Sequence, residues 1–136
     1  MELTQIEKRL KKKVKEIFLE SVPRYYDHTL KVVANMKRMI RKIDDPEDKV
    51  VLLLAAYLHD IGYSVPYRDD YAGNINHQAI KIKLHSELGA EVAKEVLETM
   101  EIEPEVVRKV SYLVSVHHCQ HIEDRHLKML LQADKV

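Results

Sequence analysis

Three glycines, four prolines, one cysteine, one phenylalanine and no tryptophan are all that these 136 residues hold of those types. So few breakers in a chain rich in Leu, Val, Lys and Glu point to helices. A single cysteine, Cys119, excludes an internal disulfide and makes a reducing compartment the default. The apolar run Val50–Ala56 is far too short to span a bilayer. The start, "MELTQIEKRLKKK", turns charged at once and lacks a signal-peptide apolar core. Neither sign of charge is in excess, with 22 Lys+Arg against 22 Asp+Glu. That removes the whole-chain electrostatic argument for a nucleic-acid or acidic-membrane partner. "RLKKKVK", Arg9–Lys15, is flanked by Glu2, Glu7, Glu16 and Glu20 and reads as a solvated helix face. The expectation is a soluble cytoplasmic protein of one domain, long enough for a real core. What the chain has in plenty is histidine, eight in all.

Helical periodicity fills most of the sequence, and no alternating strand pattern stands out. Leu3, Ile6, Leu10, Val14, Ile17 and Phe18 share one face of a first helix, with Thr4 and Glu7 spaced for a capping box. A second helix covers about 26–42. "DDPEDK" is a start signal, with an Asp cap and Pro46 at the first helical position. The third helix then runs to about Ile61, apolar all round, and ends at Gly62. Residues 64–76 read as a loop. Further helices are expected over 83–100, over 104–116, and from about 124 to the chain end. The class is all-α, a bundle of five to six helices.

The third helix ends in "AAYLHDIGY", which sets His59 beside Asp60. Neighbours on a helix splay by about 100°. Two neighbours serving one site make sense if it holds two metal ions, with Asp60 offering an oxygen to each. An unpaired carboxylate in the most apolar helix is costly. The pair is therefore either a hydrogen-bonded buried group or part of a metal site. His28, His85, His117, His118 and Asp134 also fall at or near helix ends, which a bundle can gather into one region. Imidazole and carboxylate suit Zn, Fe, Mn, Co or Ni.

Five pieces in order, "YYDHTLKV", "AAYLHDIGY", "LHSELGAEVAKEVL", "VSVHHC" and "LLQADKV", resemble the HD-domain metal-dependent phosphohydrolase superfamily. The resemblance covers about 24–136, with 1–22 as an N-terminal packing helix. It implies a compact HD-type bundle. His28, His59, Asp60 and Asp134 would hold a first metal. Asp60 would bridge to a second, bound by His85 and one or both of His117 and His118. Fe or Mn is the implied pair of ions, with Ni, Co, Zn or Mg as substitutes. The implied reaction is hydrolysis of a nucleotide or other small phosphate ester or anhydride through a metal-bridged hydroxide.

Position alone nominates Arg24, Arg68, Lys81 and Lys83 as phosphate-binding cations. It nominates Asp69 or Asp70 as proton donor to the leaving oxygen. Tyr63, Tyr67 and Tyr71 are candidates either to stack a nucleobase or to anchor the core and the loop. Cys119 is not expected in a His/Asp site. His77, His121 and His126 match no part of the pattern and read as surface residues. The chain departs from the cyclic-dinucleotide branch, which has Lys after "HDIG" where Tyr63 stands and a Gly-Tyr-Pro signature absent here. The further acidic motifs of guanosine-tetraphosphate hydrolases are also absent. Small bacterial HD nucleotide hydrolases are the nearer likeness. Two alternatives use the same ligands: an HD-type di-iron oxygenase, and a non-catalytic metal- or nucleotide-binding module. A phosphorylated small molecule is the expected partner. No nucleic acid or membrane is expected, and a homodimer is compatible with the chain.

Overall fold

The computed structural model describes residues 2–67, 83–119 and 122–135. They form six α-helices: α1 (Leu3–Leu19), α2 (Arg24–Ile40), α3 (Pro46–Leu58), α4 (Lys83–Thr99), α5 (Pro104–Val116) and α6 (Arg125–Ala133). A 3₁₀ helix, Ile61–Tyr67, follows α3, and no strand occurs among the described residues. None of the described helices is long and apolar enough to cross a membrane.

The start signals act as the local chemistry requires. The Asp45 carboxylate accepts from the Glu47 N–H at 2.9 Å, with Pro46 opening α3. The Asp124 carboxylate caps α6 by accepting from the Leu127 N–H at 3.0 Å. Each cap satisfies an N–H that the helix itself leaves orphaned.

The capping box expected at Thr4 and Glu7 does not form, since α1 starts without a side-chain cap. Glu7 is drawn elsewhere. Its carboxylate accepts from the Tyr57 hydroxyl at 2.6 Å and pairs with Lys37 at 2.5 Å. That triad joins α1, α2 and α3. It holds Glu7 below the usual carboxylate range against burial, and burial together with Glu7 pushes the Tyr57 phenol well up.

Every residue of α3 from Val51 to Leu58 is buried, so α3 is the central helix. It packs on α1, α2, α5 and α6, while α4 joins the bundle through α5 and the 3₁₀ segment. Ile6, Leu10, Val14 and Phe18 are the buried face of α1. Each fully buried side chain of this size contributes about 1.5–3 kcal/mol.

Gly62 departs from expectation. α3 stops at Leu58 rather than near Ile61, and no glycine among the described residues has a positive φ. Gly62 is thus no left-handed cap. The chain tightens into the 3₁₀ turn instead, and α4 lies directly against it. A Cβ on Gly62 would sit 1.9 Å from the His85 carbonyl oxygen and 2.8 Å from the Gly89 nitrogen. Glycine is required there for close approach. Among the described residues the one in the left-handed region is Glu101, at φ 59°, beyond the end of α4. There the Ile102 N–H reaches back to the Leu97 carbonyl at 3.1 Å, the long bond of a Schellman ending.

Candidate metal centre

Helix ends converge on one spot. His28 lies in the second turn of α2, and His85 opens the first turn of α4. His59, His117 and Asp134 are the C-caps of α3, α5 and α6. Asp60 and His118 each come one residue later.

All seven predicted ligands are brought together, in two groups that share Asp60. His28, His59, Asp60 and Asp134 form one, and Asp60, His85, His117 and His118 the other. Within each, the ligand atoms lie within 4.8 Å of one another.

The oxygens of Asp60 divide between the groups. Oδ2 is 3.1 Å from His59 Nε2 and 3.5 Å from His28 Nε2. Oδ1 is 3.7 Å from both His85 Nε2 and His117 Nε2. Asp134 Oδ1 closes the first group, 2.9 Å from His28 Nε2 and 3.2 Å from His59 Nε2. His118 Nε2 closes the second, 3.1 Å from His85 Nε2.

The ring tautomers decide what these atoms can do. His59 Nδ1 donates to the Ala56 carbonyl at 2.8 Å, and His117 Nδ1 donates to the Val114 carbonyl at 2.6 Å. A carbonyl only accepts, so in neutral rings both protons sit on Nδ1 and both Nε2 atoms present bare lone pairs. Those Nε2 atoms are buried without a hydrogen-bond partner in the protein. Orphaned buried acceptors are rare, and a backbone-oriented imidazole is the usual arrangement of a metal-ligating histidine.

Spacing gives a second test. Donor atoms at about 2.1 Å from a shared ion stand roughly 3.0–3.4 Å apart for octahedral to tetrahedral angles. The four His–Asp separations of the first group span 2.9–3.5 Å, and the second includes one 3.1 Å pair and two at 3.7 Å. The donor set therefore fits divalent metal ions, more tightly in the first group.

Electrostatics agree. Burial alone would push the His59 imidazole down, but Asp60 and Asp134 outweigh it and raise it to about 10. Burial would raise Asp60, yet His59 and His117 hold its carboxyl far below the usual range. Asp134 is lowered, against its own burial, mainly by His59. Burial and the neighbouring His117 lower His85 to about 4, and the same two causes lower His118. The first group thus attracts a cation, and in the second the lowered His85 and His118 stay neutral for one. His59, His85 and His117 are sealed from solvent, while His28 is 33 % and Asp134 24 % exposed at the side chain. His118 is exposed as well, so among the described residues both ligand groups reach the surface.

Supporting residues were less legible. The Tyr63 ring is stacked on both faces, on Tyr25 at 4.3 Å and on His85 at 4.1 Å between centroids. Tyr63 therefore has no face left for a nucleobase, so of its two expected roles the anchoring one holds; it orients His85. The Asn35 amide donates to the Ala133 carbonyl at 3.0 Å, next to Asp134. Asn35 stands seven residues after His28 on α2. That two-turn spacing was the available signal for it.

Other nominations fall differently. The Arg24 guanidinium lies over the Tyr25 ring, 5.2 Å from its centroid. Arg68, Asp69, Asp70, Tyr71, His77, Lys81 and His121 lie outside the described residues, as do the side chains of Tyr67 and Lys83. His126 is not a solvated surface residue. It is partly buried, with Nε2 3.0 Å from Asp48 Oδ1, while Arg125 reaches the other oxygen at 3.0 Å. Cys119 is exposed and belongs to neither ligand group.

The family model described as HD domain matches residues 25–135. That span runs from Tyr25 of the aromatic stack to the residue after Asp134. No curated protein and no solved structure matches the chain.

Proposed function

The chain belongs to the HD-domain family, and from that premise we propose that it is a metal-dependent phosphohydrolase with a two-metal centre. Its substrate is a nucleotide or another small phosphate ester or anhydride. The observation that supports this reading most is the divided Asp60 carboxylate, one oxygen toward each ligand group. His28, His59 and Asp134 complete one ion's ligands. His85, His117 and His118 complete the other's. Divalent ions held there supply Lewis-acid polarisation of a phosphoryl oxygen and a water of lowered pKa.

The protein's own residues supply rigidity, burial and charge. Backbone carbonyls lock His59 and His117, and the Tyr25–Tyr63 stack locks His85. The substrate enters where His28, His118 and Asp134 reach the surface. Arg24 stands four residues before His28 and is the described cation we assign to the phosphate. Arg68, Lys81 and Lys83 are the further proposed cations, and Asp69 or Asp70 the proposed proton donor to the leaving oxygen. His118 favours hydrolysis over the di-iron oxygenase reading. It is a fifth histidine, beyond the four His and two Asp which that chemistry uses.

Metal analysis of purified protein, then a phosphate-release screen across nucleotides with Mn²⁺ and Fe²⁺, tests the reading. About two ions per chain and metal-dependent phosphate release are expected. In Asp60→Ala both ions should be lost together, while His126→Ala keeps them. Full metal content in the Asp60 variant would overturn the shared-ligand assignment. Tight nucleotide binding without release under any metal would leave only a binding module.

A further inference from the structure

The whole-chain balance of charge conceals a sharp segregation. Residues 1–42 carry twelve Lys and Arg against five Asp and Glu, and residues 43–136 carry ten against seventeen. The molecule therefore sets a formal +7 against −7. The positive part is the pair α1 and α2, which pack on each other and on α3.

On α1 the charge is on the outside. Ile6, Leu10, Val14 and Phe18 take the inner face; Lys8, Lys11, Lys12 and Lys15 are exposed, and the exposed acids Glu2, Glu16 and Glu20 lie only toward the ends of the helix. The Glu7–Lys37 contact sets the start of α1 beside the end of α2, where Arg41 and Lys42 are also exposed. Lys8 with Lys12, and Lys11 with Lys15, are like charges at four-residue spacing, which destabilise a helix. Among the described residues no ion pair engages Lys8, Lys12 or Lys15. Elsewhere on the surface Lys94, Arg108, Lys109, Arg125 and Lys128 each stand against an acid. A second observation sets this helix apart, since α1 ends before the family match begins at residue 25.

We propose that the outer face of α1, continued by Arg41 and Lys42, is a docking surface for double-stranded nucleic acid. From Lys8 to Lys15 the row is about 10 Å long, at 1.5 Å per residue, and a duplex presents roughly six phosphate charges over that length. A membrane fits less well. A helix lying on a bilayer needs an apolar face to embed, and that of α1 is already buried in the bundle. A second copy of the chain carries the opposite charge outside residues 1–42, and sedimentation separates that occupant from a duplex.

The test is fluorescence anisotropy with a labelled 20-base-pair duplex, in EDTA so that no metal joins phosphate to the ligand cluster. Three proteins are compared: wild type, Lys8→Glu/Lys12→Glu/Lys15→Glu, and a Lys94→Glu/Lys128→Glu control. Circular dichroism confirms that each is folded. The wild type and the control should bind at low salt with the same steep loss of affinity as salt rises. The α1 triple variant should bind at least tenfold more weakly. Its slope of log affinity against log salt should be smaller by about 3, one per lysine. Sedimentation and phosphatidylserine vesicles run in parallel. Three outcomes would each overturn the proposal: no duplex binding by the wild type at low salt, equal binding by wild type and triple variant, or Lys-dependent vesicle binding or self-association without duplex binding.

Discussion

Gly62 and His85 are in direct backbone contact, so close that a Cβ at residue 62 would stand 1.9 Å from the His85 carbonyl oxygen. This contact brings α4 against the segment that follows Asp60, and His85 Nε2 to 3.7 Å from the Asp60 carboxylate. Gly62→Ala must therefore push α4 away. Overpacking of this kind costs about 1–3 kcal/mol, and the second ligand group should lose its ion before the first does. Gly89→Ala is the milder change. Its Cβ would meet Val114 at 3.1 Å and the Gly62 nitrogen at 3.2 Å. Urea melts with metal counts check the order, and a Gly62→Ala protein as stable and metal-loaded as wild type would refute the account.

Without metal, stability should peak near neutral pH. The His85 imidazole is lowered to about 4 in the fold. The unfolded chain thus binds more protons between that value and about 6.5, and stability rises with pH across the window. His59 is raised to about 10. Its contribution is complete below about 6.5 and is lost as pH climbs toward 10. Asp60 is held low, so its contribution is present above the ordinary carboxylate value and lost only in stronger acid. Metal replaces the proton on His59, so uptake at pH 7 should release protons and the gain in Tm on adding Mn²⁺ should widen from pH 6.5 to 8.5. Thermal melts with and without metal measure this. A gain that shrinks over that range would contradict the assignment of His59 as ligand.

Asn35 should matter to metal through Asp134. Asn35→Ala removes the 3.0 Å bond that holds the Ala133 carbonyl and should cost about 1–3 kcal/mol. Metal affinity at the first group should fall, and hydrogen exchange of the 127–135 peptide should speed up. In an Asp134→Ala background the same change should leave metal affinity where it was. An equal loss in both backgrounds would mean that Asn35 acts on the fold alone.

Glu101→Gly should stabilise the protein. Glu101 occupies the left-handed region at φ 59°, where a side chain costs about 1–2 kcal/mol. Glycine gives back part of that in backbone entropy. A net gain of about 0.5–1 kcal/mol, roughly 2–4 °C in Tm, is expected with unchanged metal content. A lower Tm would show that the Glu101 side chain makes a stabilising contact.

Much of this was legible in residues that are neighbours along the chain. The buried face of α1, the Asp45 and Asp124 caps and the apolar α3 follow from patterns only a few residues long, because a helix is a local structure of 3.6-residue period. The histidines and aspartates at helix ends were named as ligands by the resemblance of five short motifs to the HD-domain pattern, each motif again a local feature. Long-range geometry lay beyond those patterns. Glu7 has the spacing of a capping box, yet a tyrosine fifty positions away takes its carboxylate. Tyr63 looks free for a base until Tyr25 and His85 cover both of its faces. Gly62 reads as a helix stop, although its smallness serves α4. Asn35 meets Ala133 across 98 positions, and His28 meets Asp134 across 106. The sequence alone determined the helices, their inward faces and the set of candidate ligand residues. Which carboxylate oxygen faces which imidazole, and what holds each ring in place, only the packed bundle decided, because those distances depend on how all six helices pack at once.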